Sequence, residues 1–470
     1  MSSKIVSFII SGVLLFSCEF KKEATAWNTS NKVRPNIIFL LCDDLRYDAL
    51  GYMGNTIIKT PHIDHLADNG VRFNNAYVTT SICAVSRASI LTGQYARKHD
   101  IWGFSKDLSQ QQLANTYPVL LKDAGYTIGF IGKYGVGHNA PKDIFDFWAG
   151  FNGQGTYRQK TKEGKPIHLT SKMTHQAIAF LDKQKNNTAP FCLSISFKAP
   201  HVEGDPGYFL PDSQFDDLYK DDDVPIPSTA SKTYFNYFPE AFTKNNVARN
   251  RWEDRFASPS MQQENIKKYY RLISGVDQAV GRIMDGLKKN GQDKNTVIIF
   301  TSDNGFYLGE YGFAGKWYGS EPSIKVPLVI TDLRNKTQKS ETRNQTVLNI
   351  DMGPTILGFA GAEIPKTMQG KDLFHLIKNS KTESRKEFFY EHLWQSSPSY
   401  YIPSTEGVVS GSKKYMKYFK DRDTTAVIFE ELYDLEKDPS EKNNLIHNPE
   451  FTSLKDSMLK KYYRLKHKAE

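Results

Sequence analysis

Acidic residues stand directly behind two apolar runs. Asn36-Ile-Ile-Phe-Leu-Leu41 is continuous and apolar, as a strand buried on both faces must be, and Asp43-Asp44 follow it after Cys42. Val297-Ile-Ile-Phe-Thr301 repeats the arrangement, running into Ser302-Asp303-Asn304-Gly305. Open α/β sheets bind ligands beyond the carboxyl ends of their strands, so two such ends could converge on one cation. Three carboxylates and an amide oxygen are hard donors, suited to Ca²⁺ at about 2.3–2.6 Å or Mg²⁺ at about 2.0–2.1 Å. Nothing soft is offered for a dedicated zinc site. Taken alone, an Asp-Asp pair also opens turns.

A third group lies in Ser81-Ile-Cys83-Ala-Val85-Ser-Arg87-Ala-Ser-Ile-Leu-Thr-Gly93. A cysteine at the start of an apparent helix, four residues before an arginine, has its anionic form supported by the helix dipole and the guanidinium. The spacing is wrong for a Cys-x5-Arg phosphatase. Physically this is an anion pocket with a nucleophile; more plainly, it is a helix N-terminus with a free thiol. Gly132, Gly135 and Gly137 lack the spacing and the acidic follower of a dinucleotide-binding loop.

Strand-like and helix-like segments alternate from Asn31 onward, the pattern of a sheet covered on both faces. A helix is expected over 113–124, closed by Gly125, then a strand over 126–131. Thr170 can cap a helix running to about Gln184, which leads to a buried strand over 191–197. Apolar residues at helical spacing from Ile266 to Leu287 predict a long helix over 262–290, stopped by Gly291. Between Glu203 and Pro259 periodicity disappears and aromatic residues accumulate, which reads as a functional loop offering stacking surfaces to a ligand. Short strands over 388–392, 407–419 and 430–435, then a helix near 451–466, suggest a smaller α+β unit.

The 470 residues, 39% hydrophobic and 24% charged, exclude a lone small module and a disordered chain. A net charge of +9 is spread without a long basic tract and gives no case for nucleic acid. Lys4, an apolar stretch from Ile5 to Phe16 and Leu15-Phe-Ser-Cys18 resemble a bacterial lipoprotein signal ending at a lipidated cysteine. The expectation is an exported protein, a periplasmic or outer-membrane lipoprotein of a Gram-negative bacterium, with a signal over 1–17 and a linker over 18–32. If Cys18 carries lipid, Cys42, Cys83 and Cys192 form an odd set, so at least one stays unpaired. Cys42 and Cys192 read as buried structural thiols within strands.

The Cys83 segment resembles the signature of the type I sulfatases, in which Cys-x-Pro/Ala-x-Arg is oxidised to formylglycine. Asp43-Asp44, Thr60-Pro-His-Ile-Asp64, Gly132-Lys133, Ala199-Pro-His201, Asp303-Asn-Gly305 and Lys316 before Pro327-Leu328 occur in that family's order and approximate spacing. Glu431-Leu-Tyr-Asp-Leu435 resembles its C-terminal subdomain. The resemblance implies an alkaline phosphatase-like α/β fold: a large mixed sheet sandwiched by helices over 33–380, with a C-terminal α+β subdomain over 381–470. It implies that Asp43, Asp44, Asp303 and Asn304 bind one Ca²⁺ together with the formylglycine made from Cys83. Arg87 would hold that group, Lys133 and Lys316 the sulfate, and His201 would protonate the leaving oxygen. Partners implied are a sulfated glycan substrate, algal or glycosaminoglycan, and a maturation enzyme that acts on Cys83.

Two positions depart from the family pattern. Val85 stands where maturation enzymes usually meet Pro or Ala, and Gly135 where a histidine commonly deprotonates the hydrated aldehyde. His138 could substitute if the glycine-rich loop folds back, and Arg97 and His99 are candidates for reading substrate. The rival readings are a phosphoesterase or phosphonate hydrolase of the same superfamily, and a catalytically silent sulfated-glycan binding protein.

Overall fold

The computed structural model describes residues 34–204, 206–335 and 340–470. The expected signal, linker and Cys18 lie outside the described residues. Eight strands build the main sheet: β1 (Asn36–Asp43), β2 (Val71–Phe73), β3 (Thr127–Lys133), β4 (Phe147–Phe151), β5 (Phe191–Pro200), β6 (Thr296–Ser302), β7 (Leu328–Asp332) and β8 (Glu341–Arg343). Their spatial order is β8-β2-β7-β6-β1-β5-β3-β4. The block from β6 to β4 is parallel, and β7 runs antiparallel to both its neighbours, so the sheet is mixed.

Alternation along β1 shows why this run needs no polar residue. Ile37, Phe39 and Leu41 enter the core on one face, while Ile38, Leu40 and Cys42 enter the core on the other. Helix α1 (Cys83–Thr92) and helix α4 (Met352–Ala360) cover the first face. Helices α2 (Leu169–Gln184) and α3 (Pro259–Lys289) cover the second. Helix α3 is capped by Ser258, whose hydroxyl accepts the Met261 N–H at 3.3 Å. It carries proline at its first position, where the missing N–H costs nothing.

Three expectations are corrected. The helix over 113–124 is two pieces, Gln110–Ala114 and Tyr117–Asp123, because Pro118 cannot continue the first and starts the second. His168, not Thr170, caps α2, by accepting the Thr170 N–H. The stretch 407–419 is a hairpin rather than one strand, turning at Gly411.

The C-terminal part is an antiparallel sheet of β9 (Glu387–His392), β10 (Ser404–Ser410), β11 (Lys413–Phe419) and β12 (Val427–Asp434), packed by helix α5 (Thr452–Ala469). Arg34–Glu470 forms one compact unit, with the sheet keyed into the rest through buried polar contacts. Tyr390 Oη donates to the Trp317 carbonyl at 2.6 Å and accepts the Ser81 N–H at 3.3 Å. Lys414, fully buried, bonds Glu321, Glu441 (both 2.8 Å) and the Gly319 carbonyl (3.0 Å). Among the described residues no helix is long and apolar enough to cross a membrane.

Candidate active site

Four neighbouring parallel strands end at one place. In β1 and β6 the register pairs Cys42 with Ser302, so Asp43-Asp44 and Asp303-Asn304 leave the sheet side by side. The Asp303 N–H donates to the Cys42 carbonyl at 3.0 Å. Strand β5 continues to Pro200 and delivers His201 beside them, and β3 ends on Lys133. Asp44 takes a left-handed backbone with φ 66°. That conformation disfavours side chains other than Asn, Asp and Gly, and it turns the second carboxylate back toward the first. Cys83 opens α1, a helix buried along its whole length, so its first turn presents unmatched N–H groups inside the protein. The Cys83 thiol lies within electrostatic reach of Arg87 and Lys316.

Charges interlock here. Lys133 Nζ lies 2.5 Å from Asp43 Oδ2, Lys316 Nζ pairs with Asp44 Oδ1, and Arg87 Nε lies 2.8 Å from Asp303 Oδ2. Arg87 Nη1 also donates to the Lys133 carbonyl at 2.6 Å and to the Ser196 hydroxyl. Burial and repulsion from Asp43 push the Asp303 carboxyl up to about 6, against the pull of Arg87 and Lys316. Burial opposes ionisation of Asp43 too, but the surrounding cations Lys133, Arg87 and Lys316 hold it well below the usual carboxylate range. Burial pushes the His201 imidazole down, favouring the neutral ring. Its Nδ1 donates to the Val202 carbonyl at 2.6 Å, leaving Nε2 facing Asp44 Oδ2 at 3.6 Å.

Asp43, Asp44 and His201 bring one ligand atom each within 4.8 Å of one another, a group able to hold a metal ion. Three buried acceptors in the cluster, Asp43 Oδ1, Asp44 Oδ2 and Asn304 Oδ1, have no hydrogen-bond partner among the described residues. Unmatched buried carboxylate oxygens are costly, and a hard cation is the partner they fit. The fit differs from the expected ligand set in one respect: Asp303 turns one oxygen to Arg87 and the other toward the Asp44 N–H, at 3.3 Å, while His201 joins the compact trio.

The outer candidates fare differently. His99 is fully buried, its ring bonded to the Ser89 hydroxyl (2.9 Å) and to the Ile101 N–H (3.1 Å). Arg97 is pinned by the buried Glu391 (2.7 Å) and by Glu406 of the C-terminal sheet. In this structure both side chains are engaged within the protein, and neither is brought to the Asp43-Asp44 cluster by a contact among the described residues. His138 lies on an exposed turn whose N–H donates to Asp107 at 2.7 Å, and among the described residues no contact brings its ring to Lys133. Gly135 has φ +74°, and a Cβ built there would lie 2.8 Å from Arg87 Cδ. The site therefore uses the absence of a side chain at 135 to seat Arg87.

Sequence reasoning missed Gln154. Its Oε1 accepts from Lys133 Nζ at 2.6 Å from an exposed turn between two left-handed glycines, Gly153 and Gly155. A glutamine in a G-x-G turn carries no signal of its own. In the aromatic insertion Phe209, Phe238, Phe242 and Phe256 are core residues, Tyr234, Phe235, Tyr237 and Trp252 are half-buried, and Tyr208 is exposed.

The family model described as sulfatase matches residues 35–362, more than half of the chain. The chain belongs to the sulfatase family. A second model, for the C-terminal part of N-sulphoglucosamine sulphohydrolase, matches this sulfatase over residues 309–468. It is 28% identical over 486 residues to an N-acetylglucosamine-6-O-sulfatase of Bacteroides thetaiotaomicron, covering 91% of this chain and 85% of the relative. It is likewise 28% identical to an ulvan-active sulfatase of Formosa agariphila over 471 residues, 96% and 84% of the two chains. A solved structure of a protein bound to its substrate D-glucosamine-2-N,6-O-disulfate superposes with a TM-score of 0.78 at 25% identity, covering 93% of this chain and 98% of that one. The phosphonate monoester hydrolase of Agrobacterium radiobacter shares the fold, with a TM-score of 0.76 at 19% identity over 93% of this chain and 96% of that one. As a member of this family the chain is a sulfuric ester hydrolase.

Proposed function

We propose that this sulfatase hydrolyses sulfate esters on a sulfated glycan through a formylglycine made from Cys83 and a Ca²⁺ ion held by Asp43, Asp44, Asp303 and Asn304. The observation that carries this reading is the set of buried acceptors Asp43 Oδ1, Asp44 Oδ2 and Asn304 Oδ1, without a hydrogen-bond partner among the described residues, beyond the ends of adjacent strands, with Asp303, Arg87, Lys133, Lys316 and His201 around them and Cys83 within electrostatic reach. When bound, calcium supplies positive charge to sulfate oxygens and the hydrated formylglycine supplies a nucleophilic oxygen. Lys133 and Lys316, buried and held in place by Asp43 and Asp44, would neutralise charge on the bound sulfate with little solvent reorganisation. Arg87, locked by Asp303, Ser196 and the Lys133 carbonyl, fixes the first turns of α1 and with them position 83. His201, whose Nδ1–H is held by the Val202 carbonyl, would hand a proton at Nε2 to the departing alcohol oxygen from its imidazolium form, which burial disfavours and the negative charge of a bound sulfate would favour.

A glycan substrate is supported by the named activities of the relatives, on N-acetylglucosamine-6-sulfate and ulvan. We assign the N-terminal segment the role of a lipoprotein signal; labelled palmitate should enter the protein and be lost from a Cys18→Ala variant. Mass spectrometry of the Cys83 peptide, from protein made with a formylglycine-generating enzyme, tests maturation past Val85. Sulfate release from 6-O-sulfated N-acetylglucosamine oligosaccharides and ulvan fragments, before and after chelation and Ca²⁺ return, tests the rest. Persistent cysteine with tight glycan binding and no release would replace this reading by that of a binding protein.

A further inference from the structure

A second concave site lies outside the metal cluster. The turn that follows His99 and the loop after β9 enclose an open pocket of about 420 Å³, lined by Trp102, Phe104, Lys106, Trp394, Gln395 and Arg422. That size is within the range of small-ligand sites. Phe104 is 39% exposed, an uncommon degree for a large apolar ring. Arg422 lies over the Trp102 ring, 6.0 Å from its centroid. Arg422 makes no ion pair among the described residues, whereas Lys106 is matched by Asp100. Asp100 also accepts the Trp102 indole N–H at 2.8 Å, which fixes that ring in place. The Trp394 indole N–H has no partner among the described residues.

The pocket is joined to the catalytic cluster along two routes. Trp394 lies 5.8 Å from the Tyr400 ring, Arg251 lies 5.9 Å from the same ring, and Arg251 sits 5.1 Å over Trp317, the residue after Lys316. On the other side Asp107, at the end of the same turn, accepts the N–H groups of His138 and Asn139 at 2.7 and 3.0 Å, in the loop that follows Lys133. A chain of ring and guanidinium contacts therefore links the pocket to the buried Trp317, next to Lys316, and backbone hydrogen bonds link it to the loop that follows Lys133.

We propose that this pocket is an accessory subsite for a sulfated oligosaccharide, holding a sugar ring on Trp102 and Trp394 and a sulfate on Arg422, while a neighbouring unit of the same chain occupies the catalytic cluster. The inference rests on the sulfatase reading for the identity of the occupant. Flat rings flanked by an unmatched guanidinium suit a ligand that is apolar on its ring face and anionic at its edge. A neutral glycan would leave Arg422 unused.

The test uses the full chain and its Arg422→Ala and Trp102→Ala variants. Heparin-derived and ulvan-derived tetrasaccharides, with an unsulfated heparosan tetrasaccharide as control, are titrated calorimetrically into Cys83→Ser protein. Turnover of 4-methylumbelliferyl sulfate, too short to reach the pocket, is followed in parallel. Either variant should weaken a sulfated tetrasaccharide by about tenfold, the loss of one charge-assisted or stacking contact, with small-ester turnover within about twofold of the parent. Arg422→Ala should leave the heparosan titration unchanged. Unchanged affinity in both variants, equal affinity of the parent for heparosan, or no binding of either sulfated probe overturns the subsite. Absence of small-ester turnover in the parent strikes the catalytic reading instead and leaves the binding result standing.

Discussion

Gly135→Ala isolates the way the site is seated. The glycine adopts φ +74°, where an L side chain costs about 1–2 kcal/mol. The new Cβ would meet Arg87 Cδ at 2.8 Å and Nε at 3.3 Å, and Arg87 cannot swing aside freely, because Asp303, Ser196 and the Lys133 carbonyl hold its head. Giving way costs at least one charge-assisted hydrogen bond, about 1.5–3 kcal/mol. The combined loss is on the order of 3–5 kcal/mol, within the tail that strain at a special backbone position produces. Urea unfolding of the purified full chain should show a lower midpoint at unchanged slope, and sulfate ester turnover should fall by at least about a hundredfold as Arg87 leaves Asp303. Gly135→His, which puts back the residue that sulfatases commonly carry there, should be no better. Parental stability and turnover in Gly135→Ala would refute the argument that the missing side chain seats Arg87.

Gln154→Ala removes an exposed partner of Lys133, so folding should be untouched while kcat/KM falls about tenfold in steady-state assays. Lys414→Ala strips the shared cation from Glu321 and Glu441; the two buried carboxylates left behind should cost about 3–5 kcal/mol by chemical denaturation. Burial pushes the Glu391 carboxyl up to about 7 from 4.5, despite Arg97, so the native state holds a proton that the unfolded chain has released. Stability should therefore decline as pH rises from about 4.5 to 7, and Glu391→Gln should flatten that decline in urea titrations across the window.

The position of the acidic cluster was legible because it obeys a local rule: an apolar run long enough for a buried strand, then acids at its carboxyl end. Adjacency of β1 and β6 turned two such ends into one cluster. The surroundings of Arg97 and His99 were not legible, because proximity to the Cys83 segment in sequence says nothing of what meets them from elsewhere in the chain. The carboxylates that capture Arg97 come from β9 and β10, far along the chain, and nothing near Arg97 announces them. Which rings of the aromatic insertion enter the core was illegible for a related reason, since composition does not say which side of a ring faces the core. Gln154 was invisible because its role depends on two glycines bending an exposed turn over Lys133.

The buried polar seam between the C-terminal sheet and the body bears on how such enzymes can be recombined. Tyr390 braces the backbone on both sides of the cluster, at Ser81 and at Trp317, and Lys414 ties the sheet to the segment that carries Lys316. The sheet is a buttress for the catalytic loops, and its inner residues are inherited with them. A chimera joined near residue 380 from two sulfatases would therefore keep two sound halves and lose the register between them, unless Tyr390, Lys414 and Glu441 travel with Glu321 and Trp317.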